Sequence, residues 1–152
     1  MLNGHGVDYL IIGGVAVQAY GHVRTTQDVD VIVAPDARNL ERLAAALKQL
    51  HARLKGVDAH LLGVDPTDPR HLRDGANFGL ATRAGGFDVW TDAAELKGAR
   101  SWVQMRERAV TAEVGEESLR FVHLDDLVRM KLAAGRERDL QDIAVLTSRE
   151  DS

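Results

Sequence analysis

The residues in this sequence best suited to do chemistry are three aspartates. Asp28 and Asp30 interrupt "DVDVIV", a run otherwise made of Val29, Val31, Ile32 and Val33, and Asp88 interrupts "FDVW". On a strand alternate residues share a face, so Asp28, Asp30 and Ile32 point one way while Val29, Val31 and Val33 point the other, toward the expected core. Backbone rise sets the two carboxylates about 6.5 to 7 Å apart. Ionised groups beside a packed sheet are costly unless something positive neutralises them, and a divalent cation is the natural partner. A hard ion such as Mg²⁺ takes oxygen ligands from one or two carboxylates and completes its shell with water and substrate phosphates. Asp88, with Phe87 and Val89 on the face opposite to it, adds a third carboxylate. Three such groups on neighbouring strands can hold two metals about 3.5 to 4 Å apart that clamp a reacting phosphate. That is phosphoryl-transfer chemistry, with Asp88 as the base or as a ligand of the second metal.

Two further features serve the same chemistry. Gly13 and Gly14 follow a short apolar run; glycine lets a backbone approach a phosphate closely, and the N–H groups at the start of the next helix attract the anion. The pair is not the G-x-G-x-x-G fingerprint, and the chain has no G-K-[ST] element, so the nucleotide-binding folds that use them are disfavoured. Leu124, Leu127, Val128, Lys131 and Gly135 recur at helical spacing, which puts Lys131 on the stripe expected to face the interior. A lysine there needs an anion, and a nucleoside triphosphate would supply one.

The elements that position these residues alternate between strand and helix. Tyr9-Leu10-Ile11-Ile12 reads as a strand, Gly13-Gly14 opens a helix to about Gly21, and Val29 to Val33 is a second strand closed by Pro35. A helix then starts at Pro35-Asp36, with Leu40, Leu43, Ala44, Leu47, Leu50 and Leu54 as its buried stripe. Residues 56–75, with Pro66 and Pro69, read as a long irregular connection holding one short helical turn. Phe78 to Thr82 and Phe87 to Trp90 resemble a hairpin turning at Gly85-Gly86, and strand-like stretches follow at Ala109 to Val114 and Leu119 to Val122. The C-terminal third reads as helical, with Gly135 as a C-cap and a last helix from near Asp139.

Composition bounds the whole. A chain of 152 residues with 45% hydrophobic and 28% charged residues suits one domain with a real core, and no linker divides it. With 19 Lys and Arg against 23 Asp and Glu, the net charge of −4 opposes tight, sequence-blind binding to nucleic acid. The absence of cysteine excludes disulfides and thiolate metal sites and makes a cytoplasmic location the economical expectation. No signal peptide is evident, and no apolar run approaches the roughly 20 residues of a membrane span.

Gly13-Gly14, Arg24-Thr25-Thr26, Asp28-Val29-Asp30 and then Asp88 together resemble the nucleotidyltransferase superfamily built on the DNA polymerase beta type core. The tail "LDDLVRMKLAAGRERDLQDIAVL" is similar to the bacterial branch containing the AbiEii-like nucleotidyltransferase toxins of toxin-antitoxin systems. The resemblance implies an α/β (α+β) nucleotidyltransferase fold: a mixed β-sheet with flanking helices and a helical C-terminal segment. It implies two Mg²⁺ ions, with Mn²⁺ as a substitute, and transfer of a nucleoside monophosphate from an NTP to a hydroxyl on RNA such as tRNA, on protein or on a small molecule. Carried over by position, Gly13 and Gly14 hold the triphosphate, with Arg24, Thr25 and Thr26 beside it. Asp28 and Asp30 bind both metals, and Asp88 completes the metal site and activates the acceptor. Lys131 and Asp139 or Asp142 match a lysine and aspartate of such toxins, whose partner would be an antitoxin. Many members carry a serine after the glycine pair where this chain has Val15, which removes a hydroxyl that would help hold the γ-phosphate.

Each of these residues also has a structural reading. Asp28 and Asp30 would serve as edge-strand charges against aggregation, although that leaves the glycine turn and Asp88 unexplained. Asp88 would be a hairpin residue, Lys131 would snorkel to solvent, Asp139 and Asp142 would cap a helix, and Arg24 to Thr26 would form only a turn. The six histidines show no metal-ligand spacing, and His22 reads as a surface residue. With Val15 in place of serine, the competing function is a nucleotide-binding or partner-binding module of a toxin-antitoxin pair that performs no turnover.

Overall fold

The computed structural model describes residues 2–21, 28–56 and 59–150. Strand β1 (Tyr9–Ile12) runs directly into helix α1 (Gly13–Ala19), and β2 (Asp28–Val33) returns antiparallel to β1. Helix α2 (Ala37–Gln49) follows, capped by Asp36, whose carboxylate accepts from the Asn39 N–H. Asn39 is buried and ties the cap to the sheet: its amide donates to the carbonyls of Asp8 and Ala34 and accepts from the Asp8 N–H. Next come β3 (Arg53–Leu54), α3 (Pro69–Asp74), and the hairpin of β4 (Asn77–Thr82) and β5 (Gly85–Trp90). Helix α4 (Trp102–Glu107), a second hairpin of β6 (Val110–Val114) and β7 (Glu117–Phe121), and helices α5 (Leu124–Ala134) and α6 (Glu137–Glu150) complete the chain.

The described strands form one mixed sheet in the order β3-β4-β5-β2-β1-β7-β6. β2 and β5 are parallel, as are β1 and β7, while the remaining neighbours are antiparallel. The expected fold class is therefore the observed one. The central strands are buried on both faces, with Leu10, Ile32, Leu80 and Val89 all fully enclosed. Helix α2 contributes Leu43 and Leu47, also fully enclosed, each worth about 1.5 to 3 kcal/mol of apolar burial.

Two sequence expectations are corrected. Val29 was expected in the core, but it is 38% exposed. The β1 ladder ends at Ile12 opposite Asp30, where the chain turns into α1, so the start of β2 projects beyond its neighbour. Ile32, on the aspartate face, is fully buried instead. Second, the stripe of α2 does not extend to Leu54: the helix ends at Gln49, His51 turns the chain with φ of +54°, and Leu54 lies on β3. Helix α6 begins at Glu137, near Asp139 as expected. The connection after residue 56 holds a short 3-10 turn at Ala59–Leu62 as well as α3.

Candidate active site

Sheet register brings the three aspartates together. Asp30 pairs with Asp88 across the parallel β2–β5 ladder, and Asp28, two residues back on the same face, pairs with Gly86. Ile12 lies opposite Asp30 on the other side, so the end of β1 and the glycine turn border the carboxylates directly. Gly13 has φ of +67°, a conformation L side chains rarely adopt, and a Cβ there would run into the Asp30 carboxylate. A Cβ on Gly86 would likewise run into the Asp28 carboxylate. Both glycines are therefore needed to let carboxylates stand where they do.

Asp30 carries the cost of this crowding. Burial, then the negative charges of Asp88 and Asp28, push its carboxyl up to about 6 against the weaker pull of Lys131 and Arg138. The other two aspartates have side-chain partners: Lys55 Nζ donates to Asp28 Oδ2 at 2.9 Å, and Asn77 Nδ2 donates to Asp88 Oδ1 at 2.6 Å. Among the described residues no group of three or more His, Asp or Glu stands ready-made around one metal position. The donor set still fits a hard divalent cation: three carboxylates on one face, with one of them driven toward protonation by its neighbours. A bound dication would reverse the repulsion that raises Asp30.

The aspartates line a cleft of about 850 Å³. Gly13 and Gly14 border it, and no side chain caps the first turn of α1, whose N-cap is Ile12. Lys97, Lys131, Arg136 and Arg138 give the cleft its cations, while Trp90, Leu96, Leu127 and Met130 add apolar surface. An acidic floor thus meets a cationic wall built by the loop after β5 and by α5 and α6.

Lys131 does not snorkel. It is 6% exposed, and its Nζ lies 3.0 Å from Asp139 Oδ1 and 3.2 Å from Asp142 Oδ2, both on α6. Arg136 Nε donates to Asp139 Oδ2 at 2.6 Å. Burial raises the Asp139 carboxyl, but the hydrogen bonds from Arg136 and Lys131 outweigh it and hold the group at about 2. Asp139 also serves its helix end, accepting from the Arg136 N–H at 3.2 Å. The anions facing Lys131 thus come from this chain, and the cluster joins α5 to α6 at the cleft wall.

Asp28, Asp30, Asp88, Gly13, Gly14, Lys131 and Asp139 all line the cleft, and Asp142 stands behind Lys131. Arg24, Thr25 and Thr26 lie outside the described residues. Sequence reasoning passed over Lys55 and Asn77. Their signal was weak: β3 is too short to show a period, and Asn77 is the first residue of its strand.

Sheet order, register and a carboxylate cleft at the open end of β2 define a nucleotidyltransferase fold. No family model matches the sequence, and no curated protein does. Among solved structures the chain is similar to the lincomycin-bound lincosamide antibiotic adenylyltransferase LnuA, with a TM-score of 0.64 and 15% identity, over 97% of this chain and 90% of that one. It is also similar to an antigenic nucleotidyltransferase-like protein from Paracoccidioides brasiliensis, with a TM-score of 0.58 and 17% identity, over 95% of this chain and 69% of that one. Among the described residues no helix is long and apolar enough to cross a membrane.

Proposed function

We propose that this chain is a metal-dependent nucleotidyltransferase that moves a nucleoside monophosphate from an NTP to an acceptor hydroxyl. The observation that carries the reading is the opposition of charges in one cleft: Asp28, Asp30 and Asp88 on the floor, and Lys97, Lys131, Arg136 and Arg138 around them. A triphosphate with its divalent cation has the complementary distribution. Asp28, Asp30 and Asp88 would hold Mg²⁺, or Mn²⁺ in its place, which would neutralise the phosphate and lower the pKa of an attacking hydroxyl. The uncapped first turn of α1 at Gly13 and Gly14 donates N–H groups to the triphosphate. Lys97 and Arg138 hold the β- and γ-phosphates, while Lys131 and Arg136 are engaged by Asp139 and Asp142 beside them. Asp88 takes the proton of the acceptor hydroxyl as its oxygen attacks the α-phosphorus, the bond to the bridging oxygen breaks and pyrophosphate leaves.

The buried Lys131, Asp139 and Asp142 cluster supports placing the chain in the AbiEii-like toxin branch, with RNA or protein as the acceptor, an antitoxin as partner and a cytoplasmic site of action. The likeness to an adenylyltransferase of a small antibiotic keeps a small-molecule acceptor in view. The test incubates each NTP, labelled at the α-phosphate, with total cellular RNA, total protein and a panel of hydroxylated small molecules in Mg²⁺ or Mn²⁺. Label appears in one fraction with the wild-type protein and is lost with Asp28→Asn Asp30→Asn. A folded wild-type protein that binds nucleotide yet labels nothing favours instead the module without turnover.

A further inference from the structure

Lys55 stands beside the acidic floor without belonging to the strands that carry it or to the cationic wall. Its backbone N–H donates to the Gly79 carbonyl at 2.9 Å, continuing the β3–β4 ladder by one residue. Gly79 pairs with Asp88, which pairs with Asp30, so Lys55 sits in the same row across the sheet as two of the carboxylates. One glycine clears the way for its side chain: a Cβ on Gly86 would stand only 2.9 Å from Lys55 Nζ. The ammonium reaches over Gly86 to Asp28 Oδ2 at 2.9 Å.

We propose that Lys55 is a resident counter-ion of the acidic site, which shares Asp28 with the divalent cation and so sets how tightly that cation binds. The inference rests on the metal-dependent reading of the site. Exposure decides which lysine can exchange. The Lys131 and Asp139 side chains are 7% and 0% exposed and make a permanent pair, whereas Lys55 and Asp28 are each 42% exposed. An exposed pair is worth little and is readily replaced by a doubly charged ion at the same carboxylate. Losing the ammonium removes its hydrogen bond to Asp28 Oδ2 and a positive charge that repels the incoming ion.

The test measures Mn²⁺ binding without nucleotide, by loss of the free-ion electron paramagnetic resonance signal and by calorimetry. Lys55→Gln should bind Mn²⁺ roughly threefold to tenfold more tightly than wild type. Lys55→Arg, which keeps the charge, should stay near the wild-type affinity. Equal or weaker binding by Lys55→Gln overturns the proposal. Asp28→Asn Asp30→Asn separates the two readings: if the wild type binds Mn²⁺ and this control does not, the metal site stands whatever Lys55→Gln shows. If neither the wild type nor Lys55→Gln binds Mn²⁺, or the control binds as well as the wild type, both readings fall.

Discussion

Asp30 and Asp88 face each other across adjacent parallel strands, level with Ile12, the last residue of β1 before the chain turns away into α1. A fold selected for stability alone gains nothing by placing like charges there. Burial and the neighbouring carboxylates hold Asp30 at about 6, above its ordinary 3.8, so the folded protein bears a cost that a cationic ligand would remove.

Asp30→Asn should therefore stabilise the ligand-free protein at neutral pH. The folded state keeps the Asp30 proton up to about pH 6, whereas the unfolded chain releases it near pH 4. Between those values the folded state binds more protons, so stability falls as pH rises, and above pH 6 the full cost is present. The gap corresponds to on the order of 3 kcal/mol, and solvent at the cleft mouth reduces this to about 1 to 2 kcal/mol. Urea unfolding of both proteins across this range should show Asp30→Asn gaining on wild type from about pH 4 to pH 6 and holding its lead above. A difference that does not vary with pH would refute the assignment.

Glycine substitutions separate space from flexibility. Gly13→Ala forces a side chain into φ of +67° and against the Asp30 carboxylate, and should cost about 1 to 3 kcal/mol. Gly86→Ala meets Asp28 and should displace both it and Lys55. Gly79→Ala, on the same face but with nothing within 4 Å, should be nearly neutral. Thermal unfolding of the three variants checks the order; a Gly79→Ala loss equal to that of Gly86→Ala would contradict the geometry.

Much of this site was legible because strands obey a period of two. The alternation in "DVDVIV" and "FDVW" put the carboxylates on one face, and the glycines marked the turn beside them. What the period cannot show is where a neighbouring strand stops. Val29 alternates correctly, but it is half uncovered because β1 ends opposite Asp30. Lys55 was illegible for a related reason: a two-residue strand has no pattern, and only the pairing of β3 with β4 brings it to Asp28. Helical spacing placed Lys131 on the interior stripe, but its partners lie beyond Gly135 on a second helix whose packing angle no spacing encodes.

The cationic wall should act on ligand rather than on folding. Arg138 lines the cleft from the first turn of α6, is exposed, and contributes to the field on Asp30. Arg138→Gln should leave stability within about 0.5 kcal/mol, as exposed substitutions generally do. NTP affinity should fall severalfold, and its dependence on salt should weaken as one screened charge is lost. Calorimetric titration with Mg-NTP at two ionic strengths measures both, and unchanged affinity would remove Arg138 from the site.

The Lys131 cluster makes the opposite prediction, because its charges are out of water. Asp139→Asn leaves Lys131 with a single anion in a buried setting and strips Arg136 of its partner, so it should destabilise by about 3 to 5 kcal/mol. Lys131→Met takes the shared ammonium away from two buried carboxylates, leaving Asp139 to Arg136, and should cost a similar amount. The triple variant Lys131→Met Asp139→Leu Asp142→Leu removes the charges together and should recover much of the loss, since a buried ionic cluster is often no more stabilising than an apolar one. Acid sensitivity follows from the same group: Asp139 is held at about 2, so its contribution is complete above about pH 4 and disappears as pH falls toward 2. If the triple variant folds as well as the wild type but transfers no nucleotide, the cluster serves the reaction. If transfer survives, the cluster only fastens α5 to α6.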